Sequence, residues 1–268
     1  MNPREKEEFG ALFARLQDLS RRAERGEVGV TPFLSPREAH FAKEFLKGMG
    51  VEARAFGGFS EAERTRLYLL PDYMTEENGV SEFSELLRDF GFDSEIRALR
   101  IEGSGYRALS HRDFLGSLLG LGLDRSVVGD ILVDSTENRR AVVFCDAAIA
   151  EFIRAELSQV ANDKVKVSLI GIEEIELPKR EFAIIRDTVA SPRLDSVVAA
   201  LCGLSREKAR ETVLGGLVEL NFESEDRPDR TVSAPTLLSV RGVGRFRVTA
   251  LSDRTKKGRL RLEAERYI

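Results

Sequence analysis

One stretch constrains this chain more than any other: SPRLDSVVAALCGLSREKARETVLGGLVELN, residues 191–221. Leu194, Val197, Val198 and Leu201 recur at i, i+3, i+4 and i+7, which gathers them on one face of a helix. Gly203 suits a left-handed helix stop, and Ser205 is placed to cap a second helix with Glu207 in its first turn. On that second helix Ala209 and Val213 face inward, while Arg206 and Arg210, four residues apart, share a strip beside them. Gly215 and Gly216 end it, and alternating Val218, Leu220 and Phe222 predict the buried side of a strand. The segment therefore reads as helix, tight turn, helix and strand, with Arg193, Arg206, Lys208 and Arg210 bordering its apolar faces.

A second cationic region follows a polar loop at 223–230. Residues 238–251 alternate as one long strand, with Val240, Phe246 and Val248 inward and Arg241, Arg245 and Arg247 in a row on the other face. Arg254, Lys256, Lys257, Arg259 and Arg261 place five cations in eight residues without a carboxylate, and Gly258 is expected to turn a hairpin among them. Such charge either protects an exposed strand edge or meets phosphates.

The overall net charge of −4 has to be divided before it means anything. Residues 181–268 hold 16 Lys and Arg against 13 Asp and Glu, a surplus of three, so the first 180 residues carry −7. A surplus that small does not bind arbitrary nucleic acid tightly by charge alone; geometry has to contribute.

In chain order the sequence divides into 1–85, 86–180 and 181–268. Residues 4–25 predict a helix with Phe9, Leu12, Phe13, Leu16 and Leu19 on one side. Ser35, Pro36 and Glu38 form a helix-start signal: a cap, a proline at the first position and a glutamate at the third. Strand-like runs at 51–59 and 66–70 follow, then a polar segment and a short helix through Leu86 and Leu87. Residues 94–170 predict strand 96–101, helix 110–121 with a Ser110–Asp113 capping box, strands 127–133 and 140–145, helix 147–157 with Ile149, Phe152 and Ile153 inward, and a strand carrying Val165, Val167 and Leu169. The order β-α-β-β-α-β is met most simply by a ferredoxin-like sandwich. Its third strand, Arg139-Arg140-Ala141-Val142-Val143-Phe144-Cys145, lacks the Gly-aromatic-Gly-Phe pattern of an RNA-recognition motif. Any RNA contact by this part falls to other residues, with His111, Arg112 and the Gly129-Asp130 turn as candidates.

Several functions have no sequence support. There is no Gly-x-Ser-x-Gly, no Gly-x-x-x-x-Gly-Lys and no His-Glu-x-x-His, and Gly242-x-Gly244 is expected inside a strand. Cys145, Cys202 and two histidines are too scattered for a disulfide framework or a metal site, so neither metal nor cofactor is expected. No apolar run approaches the ~18 residues of a bilayer span, and MNPREKEEF lacks the core of a secretion signal, so the cytoplasm is the expected compartment.

Arg193-Leu194-Asp195, Ser205-Arg206, Ala209-Arg210 and Gly216-Leu217-Val218 leading to Asn221, followed by Arg241-Gly242-Val243-Gly244-Arg245-Phe246, closely resemble the S4 RNA-binding domain. Ala234-Pro235-Thr236 stands where that domain usually has a Gly-Asp turn. The resemblance implies phosphate contacts from Arg193, Arg206, Lys208 and Arg210 on the helices and from Arg241, Arg245 and Arg247 beyond them, with Lys256 and Lys257 alongside. It further implies polar contacts from Ser205 and Asn221 and a close backbone approach at Gly216.

Over the whole chain, Phe33-Leu34-Ser35-Pro36-Arg37-Glu38, Gly57-Gly58-Phe59 with Ala62-Glu63-Arg64, His111-Arg112-Asp113-Phe114-Leu115-Gly116, and Arg125 with Gly129-Asp130-Ile131 resemble the YlmH family. This implies an α+β protein: an N-terminal α/β domain, a central ferredoxin-like RNA-binding domain and a C-terminal S4 domain. The expected role is that of a monomeric, non-enzymatic protein binding rRNA and tRNA on the large (50S) ribosomal subunit, in quality control of stalled nascent chains, with no membrane or DNA partner. Two rival readings are an RNA-modifying enzyme with an unrecognised site and a protein-interaction scaffold linked to cell division.

Overall fold

The computed structural model describes residues 3–74, 95–134, 139–175, 182–255 and 258–267. The expected helix through Leu86 and Leu87 and the pair Lys256 and Lys257 lie outside them. The chain is α+β and divides into two compact units, Met1–Pro178 and Lys179–Ile268.

In the first unit the predicted N-terminal helix is two, α1 (Pro3–Glu8) and α2 (Gly10–Glu24), separated at Phe9, whose ψ of 12° leaves the helical range. Phe9 stacks on Phe41 at 4.8 Å between ring centroids and Phe13 on Phe45 at 4.6 Å, which seats α2 on α3 (Pro36–Gly48). The predicted capping box opens α3: Ser35 Oγ accepts from Glu38 N, and Glu38 returns a bond to Ser35 N. These helices pack with a three-stranded sheet in the order β1 (Gly29–Val30), β3 (Arg66–Leu69), β2 (Ala53–Phe56).

The central sheet has the order β5 (Val128–Val133), β6 (Arg140–Asp146), β4 (Ile96–Gly103), β8 (Asp163–Ile170), β7 (Gln159–Val160), with every pairing antiparallel. α4 (His111–Gly120) and α5 (Ala147–Glu156) pack over one face on Leu99, Ile101, Val143 and Cys145. Helices and long strands follow the order read from the sequence; the two-residue β7 is extra. Phe152 is corrected: it is 44% exposed, and Ala150 and Ile153 turn inward in its place, because the helix presents one narrow stripe to the sheet.

The opposite face of this sheet explains two motifs that carried no chemistry in the sequence. Phe33 and Phe59 pack on Ile96, Ala98 and Phe144, with Phe59 and Phe144 centroids 5.0 Å apart. Gly58 has φ +103°, and a Cβ there would run into the Phe144 ring. Both oxygens of Asp130 accept backbone N–H groups, from Glu63 at 2.7 Å and Arg64 at 3.0 Å. Arg64 returns across the same joint, donating to the carbonyls of Val128 (2.9 Å), Arg125 (2.9 Å) and Phe33 (3.2 Å). Burial, with Arg125 nearby, pulls the Arg64 guanidinium down to about 10, so it stays charged at neutral pH.

The second unit is a six-stranded antiparallel sheet in the order β11 (Glu223–Ser224), β10 (Val218–Leu220), β12 (Thr236–Val240), β13 (Gly244–Arg254), β14 (Leu260–Tyr267), β9 (Phe182–Val189). One face packs on α6 (Leu194–Cys202) and α7 (Arg206–Leu214) through Val198, Val213, Leu238, Phe246, Val248 and Leu262. Gly203 ends α6 at φ +64° as expected.

Two strand expectations are corrected. Residues 238–251 are two strands, not one: Val240 pairs with Gly244 across a three-residue turn, where Gly242 (φ +79°) and Gly244 (φ +144°) take backbone angles that other residues rarely adopt. The alternation survives because the inward face continues on both arms of the hairpin. Phe222 likewise leaves the strand of Val218: Asn221 (φ +49°) and Phe222 (φ +72°) form the two-residue turn between β10 and β11, both with positive φ as a hairpin of that length prefers.

Replacing Asp130 by Ala removes both acceptors of the Glu63 and Arg64 amides and is expected to cost about 2–3 kcal/mol in urea unfolding, with Asp130→Asn recovering part of it. Unchanged stability in both variants would show that the joint is held by apolar packing alone.

Candidate nucleic-acid interface

The basic edge of the second unit is organised by the buried carboxylate of Asp195. Arg193 is the N-cap residue of α6, but its side chain makes no capping bond. Its side chain instead turns to Asp195, Nε to Oδ1 at 3.2 Å and Nη2 to Oδ2 at 3.1 Å. Arg206, from the start of α7, comes within 3.6 Å of the same Oδ2. Asp195 is 2% exposed, while the Arg193 and Arg206 side chains remain 40% and 59% exposed, so one buried anion holds two cations with open outer faces. Burial alone would raise the Asp195 carboxyl; the Arg193 hydrogen bond and the Arg206 charge outweigh it and hold the group below the usual range. The loop before β12 also closes on this corner, with Leu194 N donating to Arg230 O at 2.8 Å and Asp195 N to Pro228 O at 3.0 Å.

Ser205 caps α7 through its Oγ, which accepts from Lys208 N at 3.3 Å. Its hydroxyl oxygen therefore has a structural task. Lys208 and Arg210 are exposed, and no ion pair engages either among the described residues. Arg241 is exposed too; its N–H donates to Leu217 O at 2.9 Å, which ties the 241–243 turn to the segment that follows α7. A Cβ on Gly216 (φ +66°) would meet nothing within 4 Å, so the backbone there is open to approach. Asn221 is engaged from both ends, its N–H donating to Leu237 O at 2.8 Å and its Oδ1 accepting from Leu237 N at 2.9 Å.

Arg245 and Arg247 do not share this edge. Phe246 and Val248 point into the core beneath the helices, so the two arginines lie on the opposite face of β13. There Arg247 Nε bonds Glu265 at 2.7 Å and its guanidinium lies 5.3 Å from the Phe182 ring centroid, while Arg245 lies 5.6 Å from that of Tyr267. The structure thus brings Arg193 and Arg206 together at Asp195, leaves Lys208, Arg210 and Arg241 exposed, and puts Arg245 and Arg247 on the face of β13 away from the helices. The signal for Asp195 was in the sequence: a carboxylate in the first turn of an apolar helix, two residues after an arginine, has a ready partner.

In the first unit His111 and Arg112 are exposed on the first turn of α4. Partial burial of the ring and the Arg125 guanidinium lower the His111 pKa, which favours the neutral imidazole. Asp130 is committed to the backbone of residues 63–64. Of these three candidates, Arg112 therefore supplies the cation. Among the described residues no group of His, Cys, Asp and Glu is gathered as a metal site, and no helix is long and apolar enough to cross a membrane. Cys145 is buried and Cys202 half-buried, and burial raises their thiols to about 12 and about 11.

These features define an α+β protein with a cationic helix-and-turn edge on its second unit. Its relatives name it more closely: the chain belongs to the YlmH family. Residues 2–74 match the family description "YlmH, N-terminal", and residues 92–174 match "Putative RNA-binding domain in YlmH". The ribosome-associated protein quality control protein P2 of Bacillus subtilis (strain 168) is 32% identical over 244 residues, spanning 91% of this chain and 89% of that protein. The solved structure of the cell division protein ylmH from Streptococcus pneumoniae has a TM-score of 0.50 at 24% identity, covering 66% of this chain and 98% of its own, a likeness of fold.

A carboxyl whose pKa is depressed by folding adds stability above its unfolded value and loses it as pH falls through the folded one. The second unit should therefore lose amide-exchange protection below about pH 4. Asp195→Asn should make that loss shallower while costing about 2 kcal/mol at neutral pH; an identical acid profile in the variant would remove Asp195 from the account.

Proposed function

We propose that this protein is a non-enzymatic, ribosome-associated RNA-binding protein that acts in quality control of stalled nascent chains. It would dock on structured rRNA and tRNA of the large (50S) subunit as a cytoplasmic monomer, without cofactor, membrane or DNA partner. The observation that carries this reading is the identity with a ribosome-associated quality control protein along nine-tenths of the chain. We read residues 1–85 as the N-terminal domain, 86–180 as a ferredoxin-like RNA-binding domain and 181–268 as an S4 domain.

In this reading the edge formed by α6, α7 and the 241–243 turn meets the RNA backbone. Arg193 and Arg206, tethered by Asp195, present pre-oriented guanidinium groups, which lowers the ordering cost of binding. Lys208, Arg210 and Arg241, which no ion pair engages among the described residues, supply further cations, and each phosphate neutralised releases counterions. Gly216 leaves room for close approach. Arg245 and Arg247 take no part in this contact, since they lie across the sheet.

Arg210→Ala with Arg241→Ala avoids the Asp195 cluster and is the clean test in the full chain. The pair is expected to reduce affinity for 50S subunits about tenfold, and to flatten the log–log salt dependence by about one to two. In cells, crosslinks should concentrate on large-subunit rRNA and tRNA. Unchanged affinity at equal stability would overturn the proposed edge, and a protein sedimenting free of RNA would overturn the ribosome reading.

A further inference from the structure

The central sheet has two outer-face halves with opposite chemistry. Strand parity puts Ile96, Ala98, Arg100 and Glu102 of β4 on the face away from α4 and α5, together with Arg140, Val142 and Phe144 of β6 and Lys164, Lys166, Ser168 and Ile170 of β8. Phe33, Phe56 and Phe59 cover the Ile96, Ala98 and Phe144 end. The other end is open and cationic. A groove of about 380 Å³ lies there, lined by Glu102, Gly103, Ser104, Arg139, Arg140, Lys164, Val165 and Lys166.

The charge in this groove runs against its surroundings. Four of the lining side chains are cations and one is a carboxylate, within a stretch of 180 residues that carries −7 overall. Glu102 sits opposite Arg140 on one side and Lys166 on the other, and bonds Arg140 at 3.2 Å, so one anion is consumed internally. Lys164 and Lys166 are exposed, and no ion pair engages them among the described residues.

The rim is built, not loose. Gly103 N donates to Arg139 O at 2.8 Å, and a Cβ on Gly103 would lie 2.7 Å from Asp163 Oδ2. Asp163, 2% exposed, accepts from Ser104 N at 3.1 Å and from Ser104 Oγ. Ser104 Oγ in turn accepts from Tyr106 N at 3.2 Å. This chain of bonds anchors the loop that carries Tyr106, two residues beyond the groove-lining Ser104 and 84% exposed.

We propose that this groove is a second RNA site, taking the phosphates of an unpaired RNA segment on Arg139, Lys164 and Lys166 while one base stacks on Tyr106. The proposal rests on the RNA-binding reading above and locates a contact on the central part that does not use the α7 edge. Cations in a groove, with an exposed aromatic on the loop anchored to its rim at Ser104, match the chemistry of single strands, whose backbone is tracked by charge and whose bases stack without sequence preference. The sheet itself offers no exposed aromatic there, so stacking falls to the loop.

The test uses the full chain and a fluorescent oligouridylate, titrated at several salt concentrations. Lys164→Gln with Lys166→Gln should weaken binding about tenfold and lower the log–log salt slope by about 1.4, the value for two contacts to single-stranded phosphate. Tyr106→Ala should weaken it about tenfold with the slope unchanged, because stacking releases no counterions. Thermal melting checks that each variant is folded. If both variants bind as the unaltered protein does while Arg210→Ala with Arg241→Ala weakens binding, the groove proposal falls and the α7 edge stands. If none of the three affects binding, the groove proposal falls, and the α7 edge is decided by its affinity for 50S subunits. Unchanged RNA affinity with weaker binding of polyglutamate would give the groove to an acidic polypeptide and overturn the proposal.

Discussion

The exchange between Arg64 and Asp130 is the constraint on which the first unit depends. A guanidinium donating to three carbonyls and a carboxylate accepting two amides satisfy polar groups on both sides of the same joint. Leaving such groups unpaired inside a protein costs more than the bonds gain, so the arrangement selects one geometry and rejects near alternatives. Phe33 and Phe59 can then close over Ile96, Ala98 and Phe144, and Gly58 is required because a side chain would displace the Phe144 ring. The covered half of the central sheet, and by difference its open basic half, follow from that joint.

The second unit applies the same principle at its surface. Asp195 is buried but its partners are not, so the ion pairs orient Arg193 and Arg206 without removing their charge from reach. An exposed arginine pair alone would contribute little to stability. Here the buried anion makes the geometry specific, and the stabilising and binding roles fall on different atoms of the same side chains. The two-residue turn at Asn221 and Phe222 and the three-residue turn at 241–243 place neighbouring strands so that Arg241 lies beside the end of α7.

Residue periodicity made much of this architecture legible. The capping boxes at Ser35 and Ser110, the stop at Gly203 and the inward stripe of α6 depend on neighbours a few positions away, and local sequence contains them. Periodicity misread residues 238–251 because a hairpin whose arms keep the same inward face looks like one continuous strand. It also misread Phe152, since a helix three turns long offers more apolar positions than its sheet can cover. The motifs Gly57-Gly58-Phe59 and Ala62-Glu63-Arg64 carried no local meaning: their partners, Phe144 and Asp130, lie far along the chain.

The sequence by itself determined the elements, their order and the inventory of cations near the C-terminus, because helix and strand periods, caps and turns are set by contacts between near neighbours. Only the tertiary structure decided which cations act together. Arg245 and Arg247 lie on the face of β13 away from the helices, whereas Arg193 and Arg206 meet at Asp195 from the starts of two different helices. The basic groove between the ends of β4, β6 and β8 was equally invisible, since antiparallel pairing brings Glu102, Arg140 and Lys166 together from distant positions. Charge in sequence is a sum, but binding depends on the surface over which that charge is spread.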